Sequence, residues 1–169
     1  ALESNTVAVS ITITPENDAP VAVADNGGIV AEGGTLSGQP NVLDNDTDAE
    51  NSPLTATLVA DVANGTLALS SDGTFTYTHN GSETTNDEFT YKASDGALDS
   101  NTVAVSITIT PENDAPVAVA DNGGIVAEGG TLSGQPNVLT NDTDAENSPL
   151  TATLVANVAN GTLALASDG

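Results

Sequence analysis

The chain has 169 residues with 24 acids, one lysine (Lys92), no arginine, one histidine (His79) and no cysteine, for a formal charge of −23. That balance excludes nucleic acid and anionic membrane surfaces as partners, since both need basic groups, and it leaves no disulfide or thiolate chemistry. No apolar run approaches the roughly 18 residues of a membrane span, and the few candidate groups give no enzyme apparatus beyond generic carboxylates, so a non-enzymatic protein is expected.

A shift of 96 residues aligns Ala1 with Ala97 and Gly73 with Gly169, and only four of the 73 aligned positions differ: Glu3/Asp99, Asp44/Thr140, Asp61/Asn157 and Ser70/Ala166. The chain is therefore a tandem array of nearly identical repeats. The period is too long for a solenoid and close to the roughly 100 residues of an immunoglobulin-like sandwich. In this frame residues 1–18 are the last strand and linker of a preceding repeat. Residues 19–114 form a complete repeat, and 115–169 a following repeat truncated before its counterpart of 74–96. The opening Ala1 fits an internal piece of a longer array.

Taken in chain order, the elements read as short strands. Val21 and Val23 begin the alternation of apolar and polar residues, and a turn with Glu32 follows. Leu54, Ala56 and Leu58 form the next alternating set, then Leu67 and Leu69, Phe75 and Tyr77, and Phe89 and Tyr91. The final run, "VAVSITIT" (103–110), puts Val103, Val105, Ile107 and Ile109 on one face. A period of two is that of a half-buried strand. Asn64-Gly65 predicts a type I′ hairpin and Ser71-Asp72-Gly73 a second turn, while Pro20, Pro40 and Pro53 punctuate the rest. No stretch has sustained helical periodicity. The expected fold is all-β: immunoglobulin-like β-sandwiches in tandem, with about seven strands per repeat.

The acids concentrate in loops. In such a sandwich the loop between the second and third strands shares one end with the loop between the last two, and the chain enters there. The first of these is "DNDTDAENSP" (44–53) and the second "SDGALDS" (94–100), so Asp46, Asp48, Glu50 and Asp95 are expected beside the incoming "PEND" (15–18). The turn with Glu32 should lie at the other end, beside the outgoing "PEND" (111–114). Oxygen-only clusters without histidine or cysteine suit Ca²⁺ rather than zinc or copper. Asx-rich loops also form turns without metal, and acids keep surfaces soluble and blunt edge strands. Asp44, replaced by Thr140 in the next repeat, is not expected to be an essential ligand. Asp25, Asp61, Asp72, Asp87 and Glu88 read as turn or surface acids, and His79 and Lys92 as solvated single residues.

"NVLDNDTDAENSPLTATLV", "GTLALSSDGTFTYTHNGSETTNDEFTYKASDG" and "ITITPENDAPVAVAD" resemble the VCBS and cadherin-like tandem repeats of giant bacterial RTX-type adhesins. "PENDAP" is also similar to the cadherin linker, whose acids share calcium with a D-x-D loop. By that resemblance Asn17, Asp18, Asp46, Asp48, Glu50 and Asp95 would hold Ca²⁺ at one junction. Glu32, Asn113, Asp114, Asp142 and Asp144 would do so at the next, with Glu128 and Glu146 as the second-repeat copies of Glu32 and Glu50. The resemblance implies an exported, calcium-stiffened stalk at the bacterial surface, its partners being neighbouring repeats of the same chain. An alternative is the subunit of an extracellular filament or surface layer, which would also self-associate laterally. A sugar-binding repeat is a third, although that role usually needs exposed aromatics and the chain has few.

Overall fold

The computed structural model describes residues 1–38, 41–135 and 137–169; Pro40, expected to punctuate a turn, lies outside them. Two compact units divide the chain, Ala1–Thr110 and Pro111–Gly169. Among the described residues no helix is long and apolar enough to cross a membrane.

The first unit is a β-sandwich of seven strands. They are β1 (Asp25–Ala31), β2 (Thr35–Ser37), β3 (Thr55–Ala60), β4 (Gly65–Leu69), β5 (Phe75–His79), β6 (Asn86–Ser94) and β7 (Val103–Thr110). One sheet has the order β1-β7-β6-β3 and the other β2-β5-β4. β7 is central: it pairs parallel with β1 and antiparallel with β6. Its β-branched residues suit a pleated, half-buried surface, and the expected alternation is met, with Val105, Ile107 and Ile109 at 0–2% exposure. Phe89, Tyr91 and Ala93 of β6 and Tyr77 of β5 are fully buried. Phe75 meets Phe89 edge-on across the sheets, ring centroids 5.2 Å apart, the arrangement that ring quadrupoles favour.

Several expectations are corrected. Val21 and Val23 point outward while Ala22 is buried, because the Asn101 side chain takes both polar groups of Ala22: Oδ1 accepts its N–H at 3.1 Å and Nδ2 donates to its carbonyl at 2.9 Å. The stretch forms a single bridge, Val21 to Thr47, and the first strand is instead β1, whose "DNGG" start carries no alternation and includes a register shift at Asn26/Gly28. Asn64-Gly65 is not a I′ hairpin. The strands on either side belong to different sheets, and neither residue has the positive φ that turn requires. Glycine is needed at 65 for another reason: a Cβ there would lie 2.7 Å from the Tyr77 ring. Ser71-Asp72-Gly73 does turn β4 into β5, with Gly73 at φ +86°.

Two polar residues are core members rather than surface groups. His79 is 3% exposed and Asp87 6%. Asp87 accepts N–H bonds from Ala63 (3.0 Å), Asn64 (2.8 Å) and Glu88 (2.9 Å), and the Tyr77 hydroxyl at 3.0 Å. Burial opposes the Asp87 charge, but these donors together outweigh it and hold the carboxyl below its ordinary pKa; burial and the same carboxylate push the Tyr77 hydroxyl up. Asp87 thus pins the β3–β4 connection to the core.

Among its described residues the second unit forms no strand. It keeps local turns and the bridge Val117 to Thr143, but the counterparts of 74–110 that complete the sheets of the first unit are not within the 169 residues.

Asp87→Ala would strand the Ala63, Asn64 and Glu88 N–H groups and the Tyr77 hydroxyl. We expect a loss of about 3 kcal/mol, as for buried donors deprived of a charged acceptor, measured by denaturant unfolding. Because the folded pKa of Asp87 is lowered, its contribution is present above the unfolded carboxylate pKa and disappears as pH falls through the folded value. The variant should therefore show a flatter fall in stability on acidification; an unchanged unfolding midpoint would contradict the anchoring role.

Candidate metal centre

The β2–β3 loop (44–53) folds around its own carboxylates. Asp48 Oδ1 accepts the N–H groups of Glu50 at 3.1 Å and Ser52 at 2.8 Å, an Asx-type turn that lets Asn51 adopt φ +58°. Asp46 Oδ1 accepts the Val23 N–H at 2.8 Å, while Thr47 and Val21 exchange backbone bonds. These contacts fasten the loop to the incoming chain. Two more do the same: Asn17 Nδ2 donates to Asp95 Oδ2 at 2.8 Å, and the Asp18 N–H to Glu50 Oε2 at 3.1 Å. Asp95 in turn accepts Ala97 and Leu98 N–H groups through Oδ1, both at 2.7 Å. Of the expected residues, Asn17 thus meets Asp95 and Asp18 meets Glu50, while Asp46 is tied to Val23 and Asp48 to its own loop; among the described residues no three of these carboxylates converge on one point. Glu32 lies away from them in the β1–β2 turn, where its N–H donates to the Thr110 carbonyl.

Two features exceed what hydrogen bonds satisfy. Asp48 Oδ2 is buried and has no hydrogen-bond partner among the described residues. Nearby, the Tyr91 hydroxyl has one proton but faces the Val42 carbonyl at 2.5 Å, Asp25 Oδ2 at 3.0 Å, and both Asp46 oxygens at 3.2 and 3.0 Å. Burial and the charges of Asp25 and Asp46 push the Tyr91 hydroxyl pKa up. Burial raises Asp25 against the Tyr91 hydrogen bond, and the Asp46 and Asp44 charges add to the rise. Asp25, read from the sequence as a surface acid, is thus part of the oxygen cluster. Nothing in "DNGG" signals it; its role comes from β1 running beside β7 and the reach of Tyr91 from β6.

The second unit repeats the loop. Val119 N–H donates to Asp142 Oδ1 at 2.8 Å, Ser148 N–H to Asp144 Oδ1 at 2.7 Å, and Asp114 N–H to Glu146 Oε1 at 2.8 Å. Here Glu146 Oε2 is the buried oxygen without a hydrogen-bond partner among the described residues. Asn113 Nδ2 turns onto the Asp114 carbonyl, and Glu128 is exposed in a turn.

Residues 17–111 match the family model of the bacterial cadherin-like domain, and residues 113–169 that of a bacterial Ig domain. No curated protein matches the chain. Similar solved structures include an endo-fucoidan hydrolase from glycoside hydrolase family 107 and a single-residue variant of it, each at 22% identity and a TM-score of 0.36. The match covers 63% of this chain and 17% of theirs.

The Asp95 pKa is lowered, first by the Leu98 N–H, then by the Asn17 amide and the Ala97 N–H. Asn17→Ala should raise the Asp95 titration midpoint, followed by carboxyl chemical shift, and leave the turn acid Asp72, held low by Thr74, where it is. An unmoved Asp95 would mean that the linker is not hooked to this loop.

Proposed function

The chain belongs to the bacterial cadherin-like domain family, and we propose that its repeats are non-enzymatic, calcium-stiffened extender modules of a large bacterial surface adhesin. The observation that carries this reading is Asp48 Oδ2, buried and without a hydrogen-bond partner among the described residues, in the acidic loop whose Glu50 also takes the Asp18 N–H of the incoming linker. A lone anionic oxygen in that position is costly unless a cation reaches it. The side chains we assign to the ion, the carboxylates of Asp46, Asp48, Glu50 and Asp95 and the Asn17 amide, are oxygen donors suited to a hard divalent cation, and they would close on it from separate positions. Glu146 Oε2 in the second unit, without a hydrogen-bond partner among the described residues, supports the same reading for Asp114, Asp142, Asp144 and Glu146.

Calcium bound there would neutralise carboxylates that otherwise repel one another and would hold residues 15–18 against the domain they enter. Extracellular calcium modules bind at about 0.1–1 mM, and an ion at a hundred times its dissociation constant adds roughly 2.7 kcal/mol to stability. Such a gain matters for a core built mainly of Val, Ile, Leu and Ala around four aromatic rings. A stalk of these repeats, at the cell surface, would be rigid when calcium is present and loose when it is removed. The surface stays strongly negative after a few ions bind, so neighbouring stalks should repel within the roughly 10 Å screening length of 0.1 M salt, which favours single rods over a laterally packed filament.

Asp48→Ala should abolish most of the calcium-induced rise in Tm, whereas Asp61→Ala, which alters an exposed acid that is Asn157 in the next repeat, should leave that rise intact. Equal calcium responses in the two variants would end the metal reading. Small-angle scattering tests the stiffening separately: chelation should shorten the maximum dimension, and an unchanged profile would reject it.

A further inference from the structure

His79 was set aside by sequence as a solvated residue, yet it is buried with both ring nitrogens engaged. Its Nδ1 accepts the Gly33 N–H at 3.1 Å and the Gly81 N–H at 3.3 Å, which leaves the proton on Nε2, 2.9 Å from Thr84 Oγ1. The ring therefore presents its Nδ1 lone pair to the backbone nitrogen of Gly81. That nitrogen follows Asn80, whose side-chain Oδ1 accepts the Ser82 N–H at 3.0 Å. Asn80 and Gly81 are exposed, Gly81 sits at φ +80°, and the Asn80 N–H is pinned to the Asn64 carbonyl at 3.0 Å.

We propose that Asn80-Gly81 is a self-modifying site at which the fold promotes conversion of Asn80 to aspartate and isoaspartate. The chemistry needs three things: a base at the amide N–H of the following residue, a donor that polarises the Asn carboxamide oxygen, and little steric obstruction at the attacking nitrogen. His79 Nδ1, Ser82 N–H and Gly81 supply them. In the first step Nδ1 takes the Gly81 proton as the Gly81 nitrogen bonds to Asn80 Cγ, and the Ser82 N–H stabilises the oxygen that gains charge. The Cγ–Nδ2 bond then breaks, the imidazolium returns its proton to the leaving amine, and ammonia departs. The product is a succinimide, and addition of one water to either of its carbonyls opens it to aspartate or isoaspartate. Taking the proton displaces Gly33 from the shared lone pair, a cost confined to the lifetime of the imidazolium. Each completed event adds one carboxylate to a domain already poor in cations, in a loop that His79 joins to the Glu32 turn through Gly33.

The chain carries its own controls. Asn26-Gly27 has the same side-chain bond, from the Gly28 N–H at 3.0 Å, but Gly27 is buried in β1 and no imidazole meets its nitrogen. At Asn64-Gly65, Gly65 is the ladder partner of His79, but the His79 Nδ1 lone pair is taken by the Gly33 and Gly81 N–H groups; the copies Asn122-Gly123 and Asn160-Gly161 lie in the second unit, and the chain's one histidine lies in the first. The full chain, incubated at neutral pH, is digested and mapped by mass spectrometry at all five Asn-Gly steps, with ammonia release followed in parallel. Asn80 should convert at least about tenfold faster than any other, toward the roughly hundredfold that a positioned base contributes. His79→Gln, which keeps an acceptor for the Gly33 N–H but removes the base, should erase that lead. If this variant fails to fold, the unaltered chain in denaturing urea decides: Asn80 should fall to the rate of the other steps. An Asn80 rate equal to theirs in the folded chain, or a lead that survives in urea or in folded His79→Gln, would overturn the proposal.

Discussion

Carboxylates in this domain must be satisfied almost entirely without positive charge. With 24 acids to one lysine, ion pairing is not an available solution, so N–H groups take its place. Asp87 collects three of them inside the core, Asp95 collects two backbone N–H groups and the Asn17 amide, and Asp48 uses one oxygen for two. Hydrogen bonds to a charged acceptor are worth about 1.5–3 kcal/mol each, and each also fixes a loop. The connections of the sandwich are thus built around acids, and the linker is hooked by the same means. Where donors run out, oxygens are left over: Asp48 Oδ2 has none among the described residues, and Tyr91 has one proton for four facing oxygens.

The two units separate what is local from what is not. Their shared sequence is nearly identical, yet Val30 is 6% exposed and its copy Val126 is 50% exposed. β1 pairs with β7, 79 to 80 residues away, and among the described residues the copy of β1 pairs with no strand. The acid loop behaves differently. Asp144 still gathers the Ser148 N–H, Asp142 the Val119 N–H, and Val117 still bridges Thr143. Loop geometry is therefore encoded within about thirty residues of chain, as turn chemistry of Asx residues allows. Sheet formation depends on partners far along the sequence, whose loop-closure entropy must be met by burial.

That distinction also explains how much could be read beforehand. Strands with clean alternation, such as 103–110 and the pair around Phe89 and Tyr91, declared themselves because one face is buried and the other wet. That the loops 44–53 and 94–100 reach the incoming 15–18 followed from sandwich topology, through Glu50 to Asp18 and Asp95 to Asn17. The misses all involve contacts between distant residues. Val21 and Val23 turn outward because Asn101 binds Ala22; Gly65 is glycine because Tyr77 lies against it; Asp25 joins the cluster because Tyr91 reaches it across β7. Asp87 and His79 read as surface residues because they are polar, and the partners that bury them lie on other segments.

If the leftover oxygens are what a cation satisfies, binding must be local and saturable, not a diffuse response of a polyanion. A calcium titration of the chain followed by backbone amide chemical shifts, residue by residue, tests this most directly. Saturable shifts confined to residues 17–18, 46–52 and 95 in the first unit, and to 114 and 142–148 in the second, are expected, while the turn at Asp72 drifts only with ionic strength. Uniform, unsaturating shifts at all acids, with Asp72 moving as much as Asp48, would contradict a specific metal centre.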